Sequence, residues 1–385
     1  MSRRRGDGMF ADRVLLIRLG AMGDVVRTLP AAACLRQMHP GAHLAWLVEP
    51  AAAGVVEASG LVDETLVFPR GELVAALRAA DALAFGRCLG GFLRRLRARR
   101  FELVLDFHGL LKSGLLARLS GAPVRYGFGR GVARELSDVF VNRHVQLPSR
   151  GVSRFDRNAA LVAALVPDAE LPAHPLLAAS PIALARMVAR LRISGREQAS
   201  RFVLLHPGSS AGARHKRYAT AGWAAVARRL AASGLEVWVA CGAGREERQL
   251  ADEVLRAAGG AAHAAPETRA FDDLLALLAR AAVFASADTG PLHAASLAGV
   301  PVVQLLGPTD PIQNAPWAAT PWRRVHYALP CSPCRRGCAD PACMRAIPPA
   351  RVADAILELA RLADRPALSV GGTQASTESG AEGGA

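Results

Sequence analysis

Five short segments of this chain bring together residue types that can act on an anionic or sugar-bearing ligand. Arg18-Leu19-Gly20-Ala21-Met22-Gly23-Asp24 follows an apolar run and precedes a helical pattern. Glycines at such a turn let a ligand reach the backbone, and the helix start favours an anion or a carboxylate. Asp24 also reads as an ordinary helix-start carboxylate. The third glycine of the dinucleotide fingerprint is absent and Arg18 stands inside the motif, so nicotinamide chemistry is disfavoured. His206-Pro207-Gly208-Ser209-Ser210, with Lys216 six residues on, has the glycine, hydroxyls and cation of a phosphate site, although Pro-Gly-Ser alone is a common turn. In Asp288-Thr289-Gly290-Pro291-Leu292-His293, Pro291 suits a first helical turn. Free amides at Thr289 and Gly290 can hold a pyrophosphate there, and Asp288 can accept from sugar hydroxyls; the plain alternative is a capped helix with a packed His293. Gly307-Pro308-Thr309-Asp310-Pro311 closes a further strand, and Gly242-Ala243-Gly244-Arg245 offers Glu246 or Glu247 to a ribose diol, or simply a solvated helix start.

A different chemistry is suggested by Cys331-x2-Cys334-x3-Cys338-x4-Cys343. Four thiols this close, with Pro330, Pro333 and Pro341 preventing a continuous helix, can surround one tetrahedral ion. Reduced, packed cysteines are the alternative, and a cytoplasmic setting disfavours disulfides. Cys34, Cys88 and Cys241 lie scattered in apolar segments and read as buried thiols.

The elements that must position these residues alternate between short β-rich runs and longer helical patterns, the mark of βα units on a parallel sheet. In the first half, strands are expected at 14–17, 44–48 and 103–105, and helices at 25–38, 51–59 and 110–120. A second series has strands at 202–205, 236–239, 283–285 and 300–306, with helices at 220–233, 245–258 and 291–298. Between them, 166–200 carries Pro167, Pro172, Pro175 and Pro181 and then an Arg-rich amphipathic stretch, as a connection would. The fold class expected is therefore α/β, two Rossmann-like halves facing a cleft. Residues 1–12 are expected to be a flexible N-terminus and 366–385, rich in Gly, Ser, Thr and Glu, a disordered tail.

Composition narrows the function. The 385 residues allow two domains, and 51% apolar content gives each a core. Against 33 acidic residues stand 47 basic ones, a net +14, of which only Lys112 and Lys216 are lysines. That balance favours anionic partners such as phosphorylated small molecules or an acidic membrane surface. A nucleic-acid-binding protein with a zinc knuckle is a rival reading, but the arginines are dispersed and 5% aromatic residues leave few stacking platforms, so no nucleic acid is expected. Arg18 and Asp24 interrupt the first apolar run and Gly299, Pro301 and Gly307 a later one, so neither a secretory segment nor a membrane span is expected, and the chain reads as cytoplasmic.

In colinear order, Leu19 to Asp24, Asp106-Phe107-His108-Gly109-Leu110-Leu111-Lys112-Ser113, His206 to Ser210, Asp288 to His293 and Gly307 to Pro311 resemble glycosyltransferase family 9, the ADP-heptose:lipopolysaccharide heptosyltransferases, over about residues 13 to 360. The resemblance implies a GT-B fold: an acceptor-binding domain over 13–180, a nucleotide-sugar domain over 181–347 that includes the cysteine cluster, and a helix at 348–365 returning to the first domain. It implies inverting transfer of heptose from ADP-heptose to a Kdo or heptose of an inner-core lipid A acceptor, at the cytoplasmic face of the inner membrane, with no cofactor for catalysis. By motif, Asp24 would be the general base. Lys216, Ser209, Ser210 and the amides at Thr289 and Gly290 would steady the departing ADP, Asp288 would contact heptose, and Glu246 or Glu247 the ribose. His293 would complete the donor side, and Gly23, His108, Lys112 and Arg130 the acceptor side. Ser153 stands where the family pattern leads one to expect histidine, which leaves the acceptor open. A similar cysteine cluster occurs in protein heptosyltransferases with an iron-bound finger, so a structural zinc or iron ion and a protein acceptor both follow as readings. A sugar-nucleotide epimerase of the same architecture is a further rival.

Overall fold

The computed structural model describes residues 11–147, 151–167, 169–193, 201–334 and 337–363. In the first half the chain runs through β1 (Arg13–Ile17), α1 (Met22–Val26), α2 (Leu29–Met38), β2 (His43–Val48), α3 (Pro50–Ser59), β3 (Glu64–Val67), α4 (Arg70–Arg78), α5 (Ala82–Ala98), β4 (Leu103–Asp106), α6 (Leu111–Leu119), β5 (Val124–Phe128), β6 (Arg143–Val145) and α7 (Arg154–Ala163). After α8 (Pro181–Ile193) come β7 (Phe202–His206), α9 (Thr220–Ala232), β8 (Val237–Val239), α10 (Arg245–Ala258), β9 (His263–Ala264), α11 (Phe271–Leu278), β10 (Ala281–Ala287), α12 (Gly290–Leu297), β11 (Val302–Leu306), β12 (Trp322–His326), α13 (Ala342–Arg345) and α14 (Pro349–Ala363).

Strands such as Val14-Leu15-Leu16-Ile17 and Val302 to Leu306 are buried throughout, and apolar but for Gln304, because helices cover both faces of each sheet. The sheets are parallel, ordered β3-β2-β1-β4-β5-β6 and β12-β11-β10-β7-β8-β9. Each is a doubly wound sheet whose order reverses beside its first strand, at β1/β4 and at β7/β10. Ligands of such sheets bind outside the strand ends at that point. The two Rossmann-like halves of the GT-B class are thus present, and the turns 18–21, 107–110, 207–210 and 288–289 all lie at the two switch points.

Two details depart from expectation. The helix expected over 25–38 is two helices, because the chain breaks at Arg27 and Thr28 and restarts as α2 with Pro30 in its first turn, where a missing N–H is harmless. The last helix does not recross to the first half over its described length: α14 packs on α9, β10, β11 and β12. Its apolar stripe decides this, since Val352, Ile356 and Leu359 are wholly buried in the second core, each worth about 1.5–3 kcal/mol of burial. The expected tail at 366–385 and residues 1–10 of the expected flexible N-terminus lie outside the described residues.

The halves meet through α1 against α12 and α3 against α11. At the first contact two glycines face each other: a methyl on Gly23 would stand 3.1 Å from Gly290 Cα, and one on Gly290 3.2 Å from Gly23 N. Their missing side chains let the backbones of the two halves touch at the floor of the cleft.

Candidate active site

Between the halves lies a cleft of about 470 Å³. Met22, Gly23, Asp24, Arg27 and Arg154 line it from the first half, and Ser209, Ser210, Lys216, Glu247 and Asp288 to Pro291 from the second. A second cavity, of about 260 Å³, opens on the first half between the ends of β1 and β4, with Arg18, His108, Arg134, Arg154 and Arg157 in its wall. Asp24 and Arg154 border both cavities.

Asp24 lies in the first turn of α1 and is ringed by cations. Arg18 Nη2 reaches its Oδ2 at 2.5 Å, while Arg27 Nη2 and Arg154 Nη1 reach Oδ1 at 3.1 and 2.8 Å. Burial alone would raise its pKa, but the charges of Arg18, Arg27 and Arg154 prevail and hold the carboxyl well below the usual aspartate range. Arg27 is itself buried and bonded to Gly23 O and Asn314 Oδ1, both at 3.0 Å. Its place ties Asp24, the turn and the second half into one network.

On the opposite wall, β10 is followed by Asp288, whose Oδ2 accepts from Lys216 Nζ at 2.8 Å and whose Oδ1 lies 3.1 Å from His293 Nε2. Burial opposes ionisation of Asp288, yet His293, Lys216 and Arg27 overcome it and keep the carboxyl charged. His293 is fully buried, and burial with the nearby Arg27 takes it down to about 4 despite Asp288. It therefore serves as a neutral brace behind Asp288. Thr289 precedes α12 with Gly290 as its first residue, so the amides of that turn face the cleft without helical partners. Ser209 Oγ accepts from Arg217 Nε at 2.9 Å and Ser210 lies beside it. Ala240, Phe271 and Leu274 supply an apolar wall against which a flat ring can lie.

Of the two adjacent glutamates only Glu247 faces the cleft, where its Oε2 accepts from Gly242 N–H at 3.0 Å. Glu246 turns to the outside and is bound by Arg214 and Arg217, which draw its carboxyl down to about 2. The sheet thus separates two residues that the sequence left equivalent.

His108 follows β4 and takes a hydrogen bond from Leu19 N–H on its Nδ1 at 3.3 Å. Burial, with Arg18 and Lys112 nearby, lowers it to about 4, so it is neutral. Beneath it Asp106, pushed up to about 6 by burial, accepts from His108 N–H, Gly109 N–H and Ser113 Oγ and shapes the turn. Lys112 and Arg130 are not in either cavity wall: Lys112 binds Glu49 at 2.5 Å, and Arg130, 93% exposed, lies 3.5 Å from Asp138 on the outer surface. Ser153 caps α7, its Oγ accepting from Asp156 N–H at 3.1 Å. Arg27, Arg154 and Asn314 were not among the expected site residues. Nothing in the sequence spacing of Arg154 and Arg157 ties them to Asp24.

The cysteine segment follows β12 and runs into α13, which carries Cys343. Cys343 is buried, with its Sγ 2.8 Å from where a methyl on Gly307 would stand, and Cys331 and Cys338 are exposed. Burial, then the neighbours Cys331, Cys338 and Cys343, push the Cys334 thiol up. Among the described residues no three metal-ligating side chains are gathered in coordinating positions.

Residues 90–341 match the model of glycosyltransferase family 9 (heptosyltransferase). Lipopolysaccharide heptosyltransferase 1 of Pseudomonas aeruginosa is 27% identical over 330 residues, 84% of this chain and 86% of that protein. Among solved structures, a glycosyltransferase family 9 protein from Veillonella parvula superposes with a TM-score of 0.73 at 18% identity, over 91% of this chain and 97% of that one. The E. coli heptosyltransferase WaaC with ADP superposes with a TM-score of 0.69 at 23% identity, over 90% and 99%.

Proposed function

The chain belongs to glycosyltransferase family 9, and from that premise we propose that it transfers heptose, with inversion, from ADP-heptose to a Kdo or heptose of an inner-core lipopolysaccharide acceptor. The observation that carries this reading is the convergence of both switch points on one cleft, with Asp24 on one wall and Lys216, Asp288 and the Thr289-Gly290 turn on the other. The acceptor hydroxyl oxygen forms a bond to heptose C1 from the face opposite the nucleotide, and its proton passes to Asp24. The bond from C1 to the β-phosphate oxygen breaks, and ADP leaves with the electron pair. Its new charge is met by Lys216, the amides at Thr289 and Gly290, and the hydroxyls of Ser209 and Ser210. Asp288, held ionised, accepts from the heptose hydroxyls, Glu247 from the ribose diol, and Phe271 with Leu274 covers the adenine. His108 and Gly23 shape the acceptor side, and Lys112 and Arg130 act only at its rim.

The test is incubation with ADP-heptose and a panel of lipid A-core acceptors, following ADP release and the glycosylated product. ADP release that needs a core acceptor supports the reading. Turnover only on a polypeptide acceptor would move the activity to protein glycosylation, and a changed sugar nucleotide with no acceptor would make it an epimerase. The relatives named above favour neither of these, nor a nucleic-acid-binding role.

Among the described residues no helix is long and apolar enough to cross a membrane. Peripheral contact is favoured by a patch beside the acceptor cavity, where Leu111 and Leu115 of α6 and Leu136 and Val139 around the 3₁₀ turn Ser137–Phe140 are exposed. Leu136 is 73% exposed and, with Glu135, adopts a left-handed backbone that L side chains rarely take. Arg130, beside Asp138 of that turn, borders the patch, which suits the anionic cytoplasmic face of the inner membrane.

For the cysteines, the donor set of four thiols in one loop fits a soft tetrahedral ion, and a structural zinc or iron is proposed there. Metal analysis of protein purified under reducing conditions is expected to give about one ion per chain. Chelation or Cys334→Ser is then expected to lower the melting temperature more than it alters the chemical step. Metal-free protein whose melting temperature ignores chelators overturns the assignment.

A further inference from the structure

The three cations around Asp24 are not equivalent. Arg18 also donates from Nη1 to Phe107 O at 2.8 Å, and Arg27 is pinned by Gly23 and Asn314, both arginines being buried. The Arg154 side chain has, among the described residues, Asp24 as its sole hydrogen-bond partner, and it is 38% exposed. Its Nε is buried without a partner. At the start of α7 it stands where the two cavities meet, so it can swing toward the acceptor side without unseating any other bond.

What would draw it there is also visible. Arg157 lies in the acceptor cavity with its guanidinium stacked on Phe128 at 4.1 Å, no carboxylate within ion-pair distance among the described residues, and its Nε unpartnered. With Arg18, Arg134 and Arg154 it sets four guanidinium groups in a wall where, among the described residues, Asp24 is the only carboxylate. A clustered excess of positive charge of that kind is relieved by an anionic ligand, which guanidinium groups can grip in pairs.

We propose that Arg154 is the positioning residue through which an anionic acceptor activates the base: the acid group, seated against Arg157, draws the Arg154 guanidinium off Asp24 and leaves an Oδ1 lone pair for the acceptor hydroxyl. This rests on the transferase reading above. While the acceptor is absent, a carboxylate shared among three cations is a poor proton acceptor, and water in the cleft is not activated against the donor. Arg154 therefore couples recognition of the acceptor's charge to the start of chemistry. The anion is a carboxylate or a phosphate, since guanidinium binds both.

The test measures kcat and KM separately, with ADP-heptose as donor and three acceptors: a Kdo-bearing lipid A, its Kdo methyl ester, and the same acceptor with the lipid A phosphates removed. In the wild type, loss of the activating anion is expected to lower kcat roughly 10-fold as well as to raise KM. A drop with the ester assigns the carboxylate, and a drop with the dephosphorylated acceptor assigns the phosphate. In Arg154→Gln, kcat is expected to be the same for all three, whatever its absolute value, and acceptor-free ADP release is expected to rise several-fold. Arg154→Lys, which keeps a movable cation, is expected to restore the discrimination. The proposal is overturned if neither analogue lowers kcat in the wild type, or if Arg154→Gln keeps the wild-type ratio. Absence of ADP release with every acceptor in the wild type would instead mean that the transferase reading has failed.

Discussion

Asp24→Asn is expected to bind ADP at least as well as the wild type and to turn over roughly 100-fold or more slowly, the scale of a lost general base. Asparagine keeps the shape and one acceptor oxygen but can no longer take the proton of the attacking hydroxyl. It also leaves Arg18, Arg27 and Arg154 without their shared anion. Removing one partner from a buried ion cluster commonly costs about 3–5 kcal/mol, so a lower melting temperature is expected as well. Lost stability and lost chemistry are separated by calorimetry with ADP. The proposed nucleotide contacts belong to the other wall, and an added net positive charge in the cleft does not repel a diphosphate. A folded, ADP-binding Asp24→Asn protein with wild-type turnover would remove Asp24 from the proton transfer and leave it as the anchor of three arginines.

The residues of this site were legible in the sequence to the extent that they sit on backbone features. Gly20, Gly23, Gly208 and Gly290 punctuate strand-to-helix turns, and a βα repeat places such turns at the carboxyl edge of a parallel sheet. Hence Asp24, Ser209, Asp288 and Thr289 could be picked out before any fold was known. Relations between side chains from distant elements were not legible. Asp24 and Arg154 are 130 positions apart, and the ion pair between them exists because α7 is packed against α2 and β5, with Phe155, Leu161 and Val162 buried in the first core. Nor could the sequence choose between Glu246 and Glu247, since one residue along a helix turns a side chain by about 100° and the outcome depends on how α10 is rotated against its sheet. The terminal helix shows the same limit: its apolar stripe announces that it is buried, but only the exposed face of β10, β11 and β12 decides on which half.

Lys216→Ala carries the second large expected effect. The Lys216 ammonium, 2.8 Å from Asp288 and still partly exposed to the cleft, is placed to meet the diphosphate. A charge-assisted hydrogen bond contributes about 1.5–3 kcal/mol, so ADP affinity is expected to fall roughly 10- to 100-fold, and turnover to fall with it as the leaving group loses its cation. Lys216→Arg is expected to recover only part of the loss, because a planar guanidinium does not reproduce a compact ammonium at this site. Wild-type affinity and turnover in Lys216→Ala would show that Lys216 is no more than the structural partner of Asp288. The alanine variant also leaves Asp288 with only His293 and Arg27 against its charge, and an exposed carboxylate would itself repel phosphate. Two causes would then give one result. Asp288→Asn in the Lys216→Ala background separates them: if Lys216 acts only by neutralising Asp288, removing that charge restores ADP binding, whereas if the ammonium holds the diphosphate directly, the double variant binds ADP as weakly as Lys216→Ala alone.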